Sequence, residues 1–151
     1  ASIARWCMAE GFTVTGVDFA QAMLDIAQAR WPEGDWRQGD MRHLDLGQTY
    51  DGIIAWNSFF HLTPPEQRSC ITRMATHLRP GGPLMITVGP RAGETMGTVG
   101  TRTVYHASLS AAQYATCLEQ NGLQLTGFLA EDPETSEHTV LMARKYQGTT
   151  S

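Results

Sequence analysis

The chain contains 151 residues, of which 42% are hydrophobic and 17% are charged, and its formal net charge is −4. This length and composition are typical of one globular domain, residues 1–151, and they exclude a disordered chain. The acidic balance, without a run of Lys or Arg, argues against nucleic acid or an anionic membrane as a partner.

The first part of the chain alternates helices with short strands. Helical spacing of apolar residues gives way to β-branched runs and then returns. The predicted elements are a helix at residues 2–10, a strand at 12–17, a helix that ends at 30, a brief strand at 36–38 and an apolar strand, buried on both faces, at 50–56.

The second part continues this order and ends in two successive strands. Thr63 predicts a helix cap, and Ser110 predicts another. The predicted elements are a helix from residue 64 to 78, a strand at 84–88, a long Gly- and Thr-rich loop at 89–107, a helix from 111 to 120, and strands at 123–129 and 138–143.

Cys7, Cys70 and Cys117 are odd in number and lie far apart. No His, Cys, Asp or Glu set has metal-ligand spacing, so we predict buried thiols in a reducing cytoplasm and no metal. The sequence has neither an apolar stretch that could span a bilayer nor a signal-peptide pattern, and we therefore expect a soluble protein.

Alternating strands and helices predict an α/β fold, a doubly wound and mostly parallel sheet with a C-terminal antiparallel strand pair. In such sheets ligands bind outside the carboxyl ends of the strands. Asp18, Asp40 and Asn57 each follow a predicted strand. We therefore expect a ligand at this edge.

An adenosine nucleoside suits the residue types found there. A carboxylate such as Asp18 can accept both ribose hydroxyls, and Asp40 can accept the adenine amino group. Phe19, Met23 and Met41 supply apolar faces for the ring.

Four segments in this order and spacing resemble the signatures of the class I S-adenosylmethionine-dependent methyltransferases. These segments read VTGVDFAQAML, GDM, YDGIIAWNSFFHL and HLRPGGPLMIT. The last two predicted strands, NGLQLTGFLAED and HTVLMARK, are similar to the antiparallel pair that distinguishes this class from dinucleotide-binding Rossmann folds. The resemblance implies a Rossmann-like fold.

The resemblance also implies S-adenosylmethionine as the cofactor. By this resemblance Asp18 binds the ribose, Asp40 and Met41 bind the adenine, and Phe19 and Met23 flank the nucleoside. Asn57, with Ser58 beside it, then lies near the methionine portion of the cofactor.

Members of this family have a first strand and an acidic, glycine-rich loop before the helix that corresponds to residues 2–10. Neither is found in the printed sequence, which we interpret as N-terminally truncated. A gene or clone that starts late, a sequence restricted to ordered residues, and a fragment completed by another chain would each explain this start.

Each candidate also has a purely structural interpretation. Asp18 can stabilise a helix N-terminus, Asp40 can make a local hydrogen bond in its turn, and Asn57 and Ser58 can cap a turn. His61, near the predicted mouth of the site, and His106, after the long loop, are candidate bases, although either can be structural.

Methyl transfer is a direct displacement at a carbon that a sulfonium already activates, so it requires alignment more than a covalent nucleophile. We expect a small-molecule acceptor, selected by residues 89–107 and 59–62. The alternatives are a non-catalytic remnant of the fold or a dimeric structural or interaction protein, and a dinucleotide-dependent oxidoreductase.

Overall fold

A computed structural model describes residues 2–56, 58–89, 92–99, 102–132 and 138–148. The chain forms two compact units, residues 1–44 and residues 45–151. That both belong to one domain stays a prediction. The first unit contains α1 (Ser2–Ala9), β1 (Thr15–Asp18), α2 (Gln21–Arg30), β2 (Asp35–Gln38) and a 3₁₀ turn (Met41–His43).

The first unit is built on a parallel strand pair. β1 and β2 pair in register, from Thr15 opposite Asp35 to Asp18 opposite Gln38. Gly16 lies opposite Trp36, and a Cβ on Gly16 would collide with the Trp36 indole. The indole Nε1–H donates to the carbonyl of Trp31 at 2.8 Å, which fixes the ring. Glycine is therefore required for this close approach of the two strands.

The second unit contains a mixed sheet in the order β3-β4-β8-β7. β3 and β4 are parallel, whereas β8 is antiparallel to both β4 and β7. The α/β Rossmann-like fold with its terminal antiparallel pair is therefore confirmed. The elements of this unit are β3 (Ile53–Ala55), a 3₁₀ turn (Phe59–His61), α3 (Pro64–Thr76), β4 (Pro83–Val88), β5 (Gly93–Val99), β6 (Arg102–Ser108), α4 (Ala111–Gln120), β7 (Leu123–Asp132) and β8 (His138–Lys145).

The helices of the second unit begin at the two caps that the sequence predicts, and the structure shows that each cap is a capping box. Thr63 Oγ1 accepts from the Glu66 N–H, and the Glu66 carboxylate accepts from the Thr63 N–H at 2.9 Å. Ser110 and Gln113 make the equivalent pair before α4. Such caps satisfy backbone N–H groups that the helix leaves without partners. α3, α4 and the central strand β4 contribute side chains to the core. These buried side chains include Cys70, Ile71, Met74, Leu84, Ile86, Tyr114 and Leu118.

The prediction of a loop at residues 89–107 is wrong. β5 and β6 form an antiparallel hairpin within this range, with Gly93 opposite Ser108 and Val99 opposite Arg102. Thr and Val residues have a high preference for extended backbone, and they outweigh the glycines. The segment therefore holds its residues in a defined register.

Two burial predictions are also wrong. Ile54 in β3 is 41% exposed, because β3 is an edge strand of its sheet. Cys7 is half-buried in the short helix α1, whereas Cys70 and Cys117 are buried as expected.

Among the described residues, no helix is long and apolar enough to cross a membrane.

Candidate functional site

Asp18 is the last residue of β1, at the carboxyl edge of the parallel pair. Its Oδ1 accepts a hydrogen bond from the Ala20 N–H at 2.8 Å, next to the start of α2. This bond is the local structural role that the sequence allowed. Within the part of the chain that the structure describes, no hydrogen bond is made to Oδ2, which therefore retains its acceptor capacity.

Asp40 follows β2 and caps the 3₁₀ turn that begins at Met41. Its Oδ1 accepts from the Arg42 N–H at 2.9 Å, and both carboxylate oxygens contact the Arg42 guanidinium, the shortest distance being 2.5 Å. Hydrogen bonding from Arg42 is the main cause that lowers the pKa of Asp40 from 3.8 to about 2. Asp40 is therefore ionised at neutral pH, with much of its acceptor capacity directed to its own turn.

The two acidic turns are joined through the backbone. The Gly39 N–H donates to the carbonyl of Asp18 at 3.0 Å, and the Gln38 side-chain amide donates to the carbonyl of Phe19 at 3.2 Å. Asp18 and the turn that carries Asp40 are thus brought together at one edge, as the strand order predicts.

Exposed apolar side chains accompany this edge. Phe19 is 73% exposed and Met23, in the first turn of α2, is 52% exposed. Large exposed apolar side chains next to a carboxylate are what a nucleoside site requires. The chemistry of this edge fits the adenosine part of S-adenosylmethionine.

The other predicted residues belong to the second unit. Asn57 lies outside the described residues. Ser58 precedes the 3₁₀ turn, and its side chain makes no capping hydrogen bond there. Phe59 in this turn is fully buried and packs near Tyr114, with a ring-centroid distance of 6.4 Å. Phe59 is therefore a core residue.

His61 and His106 are brought into contact. Their ring centroids are 5.0 Å apart, and Phe60 lies edge-on to both rings, at 4.7 Å from His61 and 5.1 Å from His106. His61 Nδ1 is 3.0 Å from the carbonyl oxygen of Tyr105. A carbonyl oxygen can only accept, so Nδ1 carries the proton and the neutral ring presents Nε2 as its basic nitrogen. This arrangement is suited to accepting a proton.

A buried polar network, which the sequence analysis does not predict, binds the residues that follow these histidines. Gln67 Nε2 donates to the carbonyls of Leu62, at 3.0 Å, and Ala107, at 2.8 Å. Tyr114 Oη donates to Gln67 Oε1 at 2.6 Å. Burial raises the pKa of the Tyr114 hydroxyl, which stays protonated and can make this donation. The sequence does carry a signal, because Gln67 is a polar residue on the apolar stripe of α3.

The second strand of the hairpin places another hydroxyl near this region. Tyr105 Oη is buried. Desolvation first, and the negative charge of Glu94 second, raise the pKa of Tyr105.

Within the described ranges, no group of three or more His, Cys, Asp or Glu residues could hold a metal ion.

Known proteins that are similar to this chain include an N,N-dimethyltransferase and a carboxy-S-adenosyl-L-methionine synthase. A family model for a methyltransferase domain matches residues 1–82. A dTDP-4-amino-2,3,4,6-tetradeoxy-D-glucose N,N-dimethyltransferase of Saccharopolyspora spinosa is 36% identical over 80 residues, or 52% of this chain and 32% of that protein. A carboxy-S-adenosyl-L-methionine synthase of Chromohalobacter salexigens is 36% identical over 87 residues, covering 52% of this chain and 31% of that protein. The chain thus spans about a third of the length of these relatives.

Solved structures show the same fold. An amino pentose methyltransferase from Micromonospora echinaspora, bound to S-adenosylmethionine, has a TM-score of 0.74 at 20% identity, with 91% of this chain and 76% of that chain covered. A 1,6-didemethyltoxoflavin N1-methyltransferase from Burkholderia thailandensis has a TM-score of 0.72 at 19% identity, with 95% and 66% covered. Since the family model covers more than half of the residues, the chain belongs to the methyltransferase domain family.

Proposed function

We propose that the protein that contains this chain transfers a methyl group from S-adenosylmethionine to an amine nitrogen of a small molecule, and that residues 1–151 form one domain of it. Bound S-adenosylmethionine would supply a methyl carbon activated by a sulfonium. The observation that carries the proposal is the end of β1, where Asp18 offers a carboxylate oxygen beside exposed Phe19 and Met23.

Asp18 would accept hydrogen bonds from the ribose, and Met41 and Asp40 would contact the adenine. Phe19 and Met23 would cover the faces of the nucleoside. Because Arg42 already binds both oxygens of Asp40, we assign the larger share of recognition to Asp18. Asn57 and Ser58 remain candidates for the methionine portion on the resemblance alone.

An ammonium group must lose a proton before its nitrogen can attack the methyl carbon. We assign this proton to His61 Nε2, because the Nδ1–H bond to Tyr105 orients the ring and leaves Nε2 as the nitrogen that can accept a proton. His106 contacts the same ring and is the second candidate. An amine acceptor is supported by the relative from Saccharopolyspora spinosa, whose name describes N-methylation of an amino sugar.

The remaining assignments are also proposals. We propose a small-molecule partner rather than nucleic acid or a membrane, since the net charge is −4. The free cysteines Cys7, Cys70 and Cys117 favour a reducing compartment such as the cytoplasm. A homodimer stays a prediction, which light scattering of the full-length protein would test.

The test is acceptor-dependent turnover by the full-length protein. S-adenosylhomocysteine release and the mass gain of one methyl group are measured with a panel of nucleotide-linked amino sugars and their hydroxyl analogues. We expect turnover with amines alone and a loss of kcat of about 100-fold in His61→Gln, the size typical of general base catalysis. The exposed His43→Gln is the matched control and should leave kcat unchanged. Turnover with the hydroxyl analogues, or a fully active His61→Gln variant, would refute these assignments.

A further inference from the structure

Gln67 connects the two segments that carry the histidine pair. Its side chain lies in α3, is fully buried and makes hydrogen bonds through both its amide nitrogen and its carbonyl oxygen to three different segments. The amide donates to the carbonyls of Leu62 and Ala107 and accepts from Tyr114. A polar side chain buried this deeply and fully partnered fixes the elements around it.

The two carbonyls have a specific place in the chain. Leu62 directly follows His61, and Ala107 directly follows His106. One amide nitrogen therefore sets the distance between two backbone segments that lie far apart in the sequence. The Tyr105 carbonyl, which orients the His61 ring, is on the same strand as Ala107. Displacing that strand would therefore also change the hydrogen bond of His61.

Only glutamine suits this position among side chains of its length. Ionised glutamate has no hydrogen to donate, and it would place a negative charge against two carbonyl oxygens. Methionine fills the same volume without donating. The buried stripe of α3 that continues to Cys70 and Ile71 would by itself favour an apolar residue here. A glutamine in this stripe is explained by its two carbonyl partners.

We propose that Gln67 is a positioning residue, which holds His61 and His106 in the geometry needed to take a proton from the amine substrate. This inference rests on the proposed role of those histidines. Gln67 would act through them and not on the acceptor itself. Small displacements of a catalytic group can reduce rates by about 100-fold, so loss of this tie should lower kcat more than KM.

The test compares two substitutions within the same network, in the full-length protein. Gln67→Met removes both donations to the carbonyls. Tyr114→Phe removes the hydroxyl on the other side of Gln67, together with its contacts to Ser108 Oγ and the Leu109 N–H, and leaves Gln67 able to make both donations. The imidazole NMR signals of His61 and His106, assigned with His61→Ala and His106→Ala, report the geometry of the pair independently of turnover.

We expect Gln67→Met to shift the signals of both rings and to lower kcat by about 10- to 100-fold, with KM for S-adenosylmethionine unchanged. Tyr114→Phe should leave the ring signals in place and kcat within about threefold of the parent. If Gln67→Met does not fold, Gln67→Asn serves, because its shorter side chain cannot reach both carbonyls. Unmoved ring signals in the Gln67 variant, or equal shifts in both variants, would overturn the inference. Full activity of the His61 and His106 variants would instead refute the proposed role of the histidines.

Discussion

Substitution of Gly16 by alanine should destabilise the first unit through one identified collision. A methyl group at Gly16 would overlap Cζ3 and Cε3 of the Trp36 indole. The ring cannot move aside freely, because its Nε1–H is bound to Trp31 and its other edge lies over Gly34, where an added Cβ would be 2.7 Å from the ring. The backbone of Gly16 is not in the left-handed region, so the collision alone causes the loss.

The expected magnitude follows from two opposing effects. Overpacking typically costs about 1–3 kcal/mol. Replacing glycine by alanine stabilises the folded state by about 0.4–1 kcal/mol, because the unfolded chain loses conformational freedom. We therefore expect the free energy of unfolding to fall by about 1–2 kcal/mol. Urea unfolding of the full-length protein measures this change from the shift in midpoint at constant slope.

A double-mutant cycle with Trp36→Leu isolates the collision. The cost of Gly16→Ala should largely disappear in the Trp36→Leu background, which gives a coupling free energy of about 1 kcal/mol or more. Gly148→Ala, in open space, is the control and should change stability by less than about 0.5 kcal/mol. An equal cost of Gly16→Ala in both backgrounds would refute the reasoning.

Three further substitutions or modifications test other parts of the structure. Thr63→Ala should lower the free energy of unfolding by about 1 kcal/mol through loss of the cap of α3, measured by urea unfolding; no change would contradict the capping box. Arg42→Gln should raise the pKa of Asp40 from about 2 toward 3.8, measured by carboxyl NMR titration. Because that pKa is depressed in the folded protein, any stability from the pair is present above about pH 4 and is lost as the pH falls toward 2. Burial raises the pKa of the Cys117 thiol, so Cys117 should react with a thiol reagent much more slowly than half-buried Cys7; equal rates would contradict this.

The strand ends and helix caps could be predicted because local chemistry determines them. Asp18 and Asp40 follow strands whose β-branched and apolar runs are short and clearly bounded, and both lie at the expected edge. Thr63 and Ser110 begin helices because their hydroxyls accept from backbone N–H groups three residues later. The binding roles of these aspartates stay predictions.

The hairpin and the contact between the two histidines could not be predicted from the sequence, because both depend on contacts between separate segments. Residues 93–99 and 102–108 are rich in Gly and Thr and lack regular alternation, so their extended structure depends on pairing that local composition does not reveal. His61 and His106 lie 45 residues apart in the sequence, and their contact arises only through β6 and the turn before α3. Gln67 was missed because burial of a polar side chain requires partners from distant segments.

Titration of the full-length protein with S-adenosylmethionine, comparing Asp18→Asn with Asp25→Asn, tests the proposed cofactor site most directly. Asparagine at position 18 keeps an oxygen for the Ala20 N–H, so it preserves the local fold and removes the charged acceptor. A hydrogen bond to a charged group contributes about 1.5–3 kcal/mol, so we expect Asp18→Asn to weaken binding about 10- to 100-fold. Asp25→Asn, on exposed α2, should bind like the parent. Equal affinity of the two variants would contradict the assignment of Asp18 to the cofactor.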